Sequence, residues 1–160
     1  MSNLGEGGRF NLRVVQGGRD DRRDVGQRRR VVIVVDDEET SRELLGSVVK
    51  RLGCPRLEVH GFAAPADALS FARERRIDLG LIDLHLGVGQ MDGLELVNRI
   101  RRETPSGEGF SAILITADTE PMVVYEATRR NVAVVMEKAV DLYRLALRCC
   151  ALLGIPPPEE

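Results

Sequence analysis

The sequence predicts an α/β fold, a parallel sheet wound on both faces by helices, and three observations carry that prediction. Short apolar runs recur from residue 31 onward. Segments with helical apolar spacing alternate with them. Polar residues stand directly after the runs, where a sheet of this kind opens its ligand crevice.

Five runs read as strands: Val31 to Val35, Leu57 to His60, Leu79 to Ile82, Ala112 to Ile115 and Val132 to Met136. The first helix is expected to open with Thr40 and Glu43 at capping-box spacing, to bury Leu44, Leu45, Val48, Val49 and Leu52, and to stop at Gly53. Pro65 suits the first turn of a second helix that turns Ala68, Leu69 and Ala72 inward. A third helix follows Asp92 with Leu96, Val97 and Ile100 inward, and a fourth follows Thr119 with Val123, Val124 and Ala127 as its apolar set. The last carries Leu142, Leu145, Ala146, Cys149, Leu152 and Leu153 before Gly154 and Pro156 to Pro158 end it. A (βα)₅ order results. By analogy with doubly wound folds it closes as a flavodoxin-like sheet of order 2-1-3-4-5.

Composition bounds the function. The 160 residues are 43% apolar and 30% charged, which suits one compact domain and leaves no expectation of a separate catalytic or DNA-binding domain. No apolar run reaches the roughly 18 residues of a membrane span, and the N-terminus lacks an apolar secretion signal, so a cytoplasmic protein is expected. Cys54, Cys149 and Cys150 lack the paired spacing of zinc sites and read as reduced thiols. With His60 and His85 as the only histidines, a histidine-rich metal centre is excluded. Residues 1–30 hold eight arginines against four acids among many glycines and are expected to be a disordered tail, with Arg28 to Arg30 as a solvated flank. The remaining chain is acidic by about six charges, the wrong sign for a nucleic-acid binder.

The candidate chemistry lies at the strand ends. The first strand runs into Asp36, Asp37 and Glu38, the third into Asp83, the fourth into Thr116, and Lys138 follows the fifth. Taken singly these are ordinary caps and surface groups. Converging on one rim, clustered carboxylates repel one another unless a divalent cation balances them. Mg²⁺, or Mn²⁺ in its place, fits a site with few protein oxygens better than Ca²⁺ does. A carboxylate facing such a cation is a competent nucleophile toward phosphorus if the negative charge in transfer is held electrostatically. Asp83, central on the rim, is the candidate nucleophile; Lys138 supplies a point charge and Thr116 a hydroxyl donor.

The blocks VVIVVDDEE at 31–39, LGLIDLHL at 79–86 with MDGLEL at 91–96, ILITA at 113–117 and MEK at 136–138 together resemble the response-regulator receiver domain of two-component signalling, over residues 31 to about 153. The resemblance implies that Asp83 is phosphorylated, and that Asp37 and Asp83 bind Mg²⁺ with the backbone carbonyl of His85. Asp36 acts through a metal-bound water, and Thr116 and Lys138 contact the phosphoryl group. It also implies a histidine kinase or phosphotransfer protein as donor, and a downstream protein target docking on the face of helix 4, strand 5 and helix 5. No DNA-binding or membrane partner is implied, and a homodimer is compatible with the pattern. On this reading 31–154 is a stand-alone receiver domain, and 155–160 is a short Pro/Glu tail.

The chain departs from the family in three places. Receivers follow the lysine with a proline in a cis peptide; here Ala139 follows, and a cis bond before a non-proline residue costs roughly 3 to 4 kcal/mol. Lys138 is therefore expected to sit differently. Val135 replaces the usual switching aromatic, and the LGVGQMDG loop after Asp83 is about two residues longer than usual and carries mobile glycines. Two other readings stand beside the relay. One is a receiver-like docking module that works without phosphorylation. The other is an aspartate-nucleophile phosphatase of the haloacid dehalogenase kind, whose Asp-x-Asp after the nucleophile strand is not matched by Asp83-Leu84-His85.

Overall fold

The computed structural model describes residues 28–117, 121–129, 132 and 134–159. Residues 1–27 of the expected tail lie outside them. Among the described residues, strands β1 (Arg30–Val35), β2 (Leu57–Phe62), β3 (Leu79–Asp83), β4 (Ser111–Thr116) and β5 (Val134–Glu137) alternate with helices α1 (Glu39–Lys50), α2 (Pro65–Glu74), α3 (Gly93–Glu103), α4 (Pro121–Arg129) and α5 (Leu142–Leu153). All strand pairs are parallel, in the expected order β2-β1-β3-β4-β5.

The apolar run of β1 serves both faces of the sheet. Successive side chains of a strand point to opposite sides. Val31, Ile33 and Val35 accordingly join Ala68, Leu69 and Ala72 of α2 and Leu96, Val97 and Ile100 of α3 in one apolar layer. Val32 and Val34 join Leu45 and Val49 of α1 and Leu145, Ala146 and Cys149 of α5 in the other. Each fully buried aliphatic side chain of this kind contributes about 1.5 to 3 kcal/mol, so the two layers fix which way each strand faces.

The helices match the sequence in place more closely than in detail. Asp92 caps α3, accepting the Glu95 N–H at 2.8 Å, and Asp141 caps α5, accepting the Arg144 N–H at 3.0 Å. Gly154, with φ 64, closes α5 in the left-handed conformation that costs glycine nothing. The start of α1 differs from expectation. Its first residue is Glu39, so Thr40 lies inside the helix instead of capping it, and the N-cap residue Glu38 makes no side-chain cap bond. With that phase Leu44 is exposed, while Gly46 is buried beside Leu45 and Val49. In α4 Ala127 is buried as expected but Val124 is exposed; Thr119 and the Val123 side chain fall outside the described residues. Leu142 is exposed as well. Strand β5 begins two residues later than expected because the Val132 N–H is held by the Ala127 carbonyl at the end of α4, at 2.9 Å.

At the amino ends of the strands, charges are paired. Arg28 binds Asp78, whose other oxygen accepts the Val31 N–H at 2.8 Å. Glu58 receives Arg29 and Arg75, each at 2.8 Å, and lies 3.3 Å from His60. The Arg30 side chain donates to the Leu153 carbonyl at 2.9 Å. Arg28 to Arg30 are thus bound within the domain, not a free flank. The three cysteines are free thiols, and burial pushes Cys149 up to about 12, which keeps it protonated.

Candidate functional site

Strand order reverses at β1, whose two neighbours β2 and β3 are reached in opposite directions along the sheet. The crevice at the carboxyl ends of β1 and β3 is where such a sheet places its ligands. Asp36 and Asp37 leave β1 there, and Asp83 is the last residue of β3. Their carboxylate oxygens come within 4.8 Å of one another. Thr116 ends β4 and is fully buried, and Lys138 follows β5.

Lys138 is held at two points. Its backbone N–H donates to the Thr116 carbonyl at 2.7 Å, which ties the end of β5 to the end of β4. Its Nζ donates to Asp83 Oδ2 at 2.7 Å and stands 3.8 Å from Asp36 Oδ2. The lysine therefore reaches the crevice, against the expectation that Ala139 would displace it. There is no cis peptide among the described residues, and Ala139 instead adopts φ 70. That left-handed conformation costs an L-residue with a Cβ roughly 1 to 2 kcal/mol.

The charges are out of balance. Asp36 is buried; its Oδ1 accepts the Glu38 N–H at 2.9 Å, and its Oδ2 has no hydrogen-bond partner. Burial raises the Asp36 pKa, opposed by the Glu38 N–H and the Lys138 charge, reinforced by the Asp83 charge, and opposed to a smaller extent by the Ser41 hydroxyl. For Lys138, partial burial pulls the pKa down, but the Asp83 hydrogen bond and the Asp36, Asp83 and Glu38 charges outweigh it, so the ammonium is held above its usual range. Among the described residues the Lys138 ammonium thus stands against Asp36 and Asp83, with Asp37 clustered beside them. A buried carboxylate oxygen without a partner, beside two more carboxylates, is the donor set of a hard divalent cation, and the residues present fit one.

Asp83 presents both oxygens to the crevice: Oδ1 accepts the His85 N–H at 3.2 Å and Oδ2 accepts Lys138. The His85 side chain itself is exposed. Asp36, Asp37, Asp83 and Lys138 thus meet at one rim, with Thr116 at the adjoining end of β4. Three backbone roles were not read from the sequence. Gly93 passes so close to β3 that a Cβ would lie 2.3 Å from the Asp83 carbonyl oxygen, and its N–H donates to the Leu84 carbonyl at 2.8 Å. Its place directly after the Asp92 cap, within the MDGLEL block, was its signal. Glu38 holds Asp36 through its backbone, which no side-chain pattern reveals. Ala139 drew notice only for the proline it replaces, since nothing in an alanine announces a positive φ.

Known proteins resemble this chain in sequence and fold. The family model described as the response regulator receiver domain matches residues 32–149. A curated relative, the cyclic di-GMP phosphodiesterase response regulator RpfG of Xanthomonas campestris pv. campestris (strain 8004), is 33% identical over 121 residues, which cover 76% of this chain and 31% of RpfG. The chain therefore spans about a third of that relative's length. Among solved structures, the signal receiver domain of an HD domain-containing protein from Pseudomonas fluorescens Pf-5 aligns with a TM-score of 0.68 at 26% identity, covering 79% of this chain and 88% of that one. The Vibrio cholerae chemotaxis protein CheY4 aligns with a TM-score of 0.68 at 22% identity, over 78% and 99% of the two chains.

Proposed function

This chain belongs to the response regulator receiver domain family, and from that membership we propose that it accepts a phosphoryl group on Asp83 from a histidine kinase or phosphotransfer protein and passes the signal on by protein contact. The observation that carries the reading is the contact of Lys138 Nζ with Asp83 Oδ2 at 2.7 Å, beside the buried Thr116. In the transfer, an Asp83 carboxylate oxygen forms the new O–P bond as the P–N bond to the donor histidine breaks. The bonding pair leaves with the imidazole nitrogen. Lys138 moves from the carboxylate to the charge developing on the phosphoryl oxygens, and Thr116 donates its hydroxyl to one of them. Asp36, Asp37 and Asp83, with the His85 carbonyl, would hold Mg²⁺ or Mn²⁺, whose positive charge offsets the carboxylates and the incoming phosphoryl group. The protein is its own substrate and turns over no external one.

For output, the face built by α4, β5 and α5 is the proposed docking surface. In its favour, Met122 and Tyr125 on α4 are 65% and 60% exposed, and Leu142 and Tyr143 on α5 are exposed too. Val135 is half-buried against the apolar layer, so a switch by ring rotation has no ring to use.

The test is mass spectrometry after acetyl phosphate or phosphoramidate with Mg²⁺, beside Asp83→Asn, with beryllofluoride binding in parallel. The expected result is one labile phosphoryl group that needs Mg²⁺ and is absent from Asp83→Asn. If the wild type takes neither phosphoryl group nor beryllofluoride, the relay is wrong and a docking module that works without phosphorylation replaces it.

A further inference from the structure

We infer that Ala139 is a positioning residue, whose left-handed backbone sets where the Lys138 ammonium stands against Asp83. Among the described residues it is the one non-glycine residue with positive φ. Its side chain is exposed, so it acts by its conformation more than by packing. The strained φ is fixed from both sides. Before it, the Lys138 N–H is bound to the Thr116 carbonyl at 2.7 Å; after it, Asp141 is committed to capping α5. Within those few residues the chain must leave the sheet edge, turn toward α5 and keep Nζ on Asp83 Oδ2. A sparsely populated conformation persists where its surroundings over-determine it, and such residues gather at functional sites. The residue at 139 must therefore tolerate φ near 70, whatever its size.

Size and conformation separate in the test. Asn adopts the left-handed region readily despite a longer side chain, whereas a β-branched residue there is a genuine outlier. Ala139→Gly, Ala139→Asn, Ala139→Val, Lys138→Ala and the double variant Lys138→Ala/Ala139→Val are compared by two readouts. One is the rate of phosphorylation by acetyl phosphate, which rests on the proposed function. The other is Mg²⁺ affinity by calorimetric titration, which rests on the carboxylate cluster and not on phosphorylation. Gly and Asn should keep both wild-type values. Val should slow phosphorylation on the order of a hundredfold, the scale of a 1 Å misplacement. It should also raise Mg²⁺ affinity to the level of Lys138→Ala, because the ammonium no longer competes for Asp83. The double variant should lose nothing beyond Lys138→Ala, as expected when one residue acts through the other.

The inference is overturned if Asn loses as much as Val, if Val matches wild type in both readouts, or if the two losses add in the double variant. Should Val fail to fold, Asn still decides, since it carries comparable bulk. If the wild type takes no phosphoryl group, the proposed function falls while the Mg²⁺ comparison still judges Ala139.

Discussion

The two ends of the sheet treat charge in opposite ways. At the amino ends, each carboxylate has its own partners: Asp78 takes Arg28 and the Val31 N–H, and Glu58 takes Arg29 and Arg75. At the carboxyl ends, oxygens of Asp36, Asp37 and Asp83 crowd within 4.8 Å of one another, and the Lys138 ammonium meets two of these acids, Asp36 and Asp83. Acidic residues at the first end complete hydrogen bonds that the fold itself requires. Those at the second leave a buried oxygen of Asp36 without a hydrogen bond and with only the Lys138 ammonium 3.8 Å away, an arrangement that costs stability until a further cation arrives. Removing an acid should therefore have opposite signs at the two ends.

The largest effect is expected at the paired end. Asp78→Ala strips the Val31 N–H of its acceptor at the edge of the buried β1 run and frees Arg28. Leaving a buried donor unsatisfied costs about 2 kcal/mol. Urea denaturation with and without Mg²⁺ should give the same loss, because nothing at this end involves the cation. A loss that vanished with Mg²⁺ would mean that the two ends are not independent.

Asp36→Asn should do the reverse. Because burial raises the pKa of Asp36, its stabilising contribution is complete below the ordinary carboxylate range and is lost as pH rises through the raised value. At neutral pH the metal-free protein therefore carries an unfavourable buried charge, and Asn removes it. A gain of about 1 kcal/mol is expected, worth roughly 2 to 4 °C in Tm for a chain of this size. Wild type, but not Asp36→Asn, should recover the difference as Mg²⁺ is added, by the stabilisation that any native-state ligand confers. Thermal melts across a Mg²⁺ series check this: destabilisation of the metal-free protein by Asn would remove the electrostatic contrast between the ends.

The same contrast explains what the sequence made legible. The paired helices and strands follow from periodicity, because Val31 to Val35 and the inward residues of α2, α3 and α5 must be covered on both faces whatever the ligand. The rim followed as well, since Asp36, Asp83, Thr116 and Lys138 are polar residues at strand ends of known order. The unread features are governed by backbone. The Thr40 to Glu43 spacing pointed to a cap, but the Asp36 carboxylate takes the Glu38 N–H and α1 begins one residue before Thr40. The end of α4 claims Val132, which delays β5. The reach of Lys138 depends on a φ at Ala139 that no side-chain pattern encodes.

The smallest effect is also the one that isolates pairing from ligand binding. Hydrogen bonds from Arg75, then Arg29 and His60, lower Glu58 from 4.5 to about 2. A depressed carboxylate contributes stability that is present above its unfolded pKa and lost as pH falls through the folded one. Wild type should thus lose stability relative to Glu58→Gln between about pH 4.5 and 2, and the two should converge at the acid end. Because Glu58 is partly open to solvent, screening keeps the difference small, and added salt should shrink it further. Asp36→Asn moves oppositely with pH, its advantage growing as pH rises. Urea midpoints of both variants over one pH series would show two curves of opposite slope, and parallel curves would mean that the sheet does not divide its acids between holding the fold and awaiting a cation.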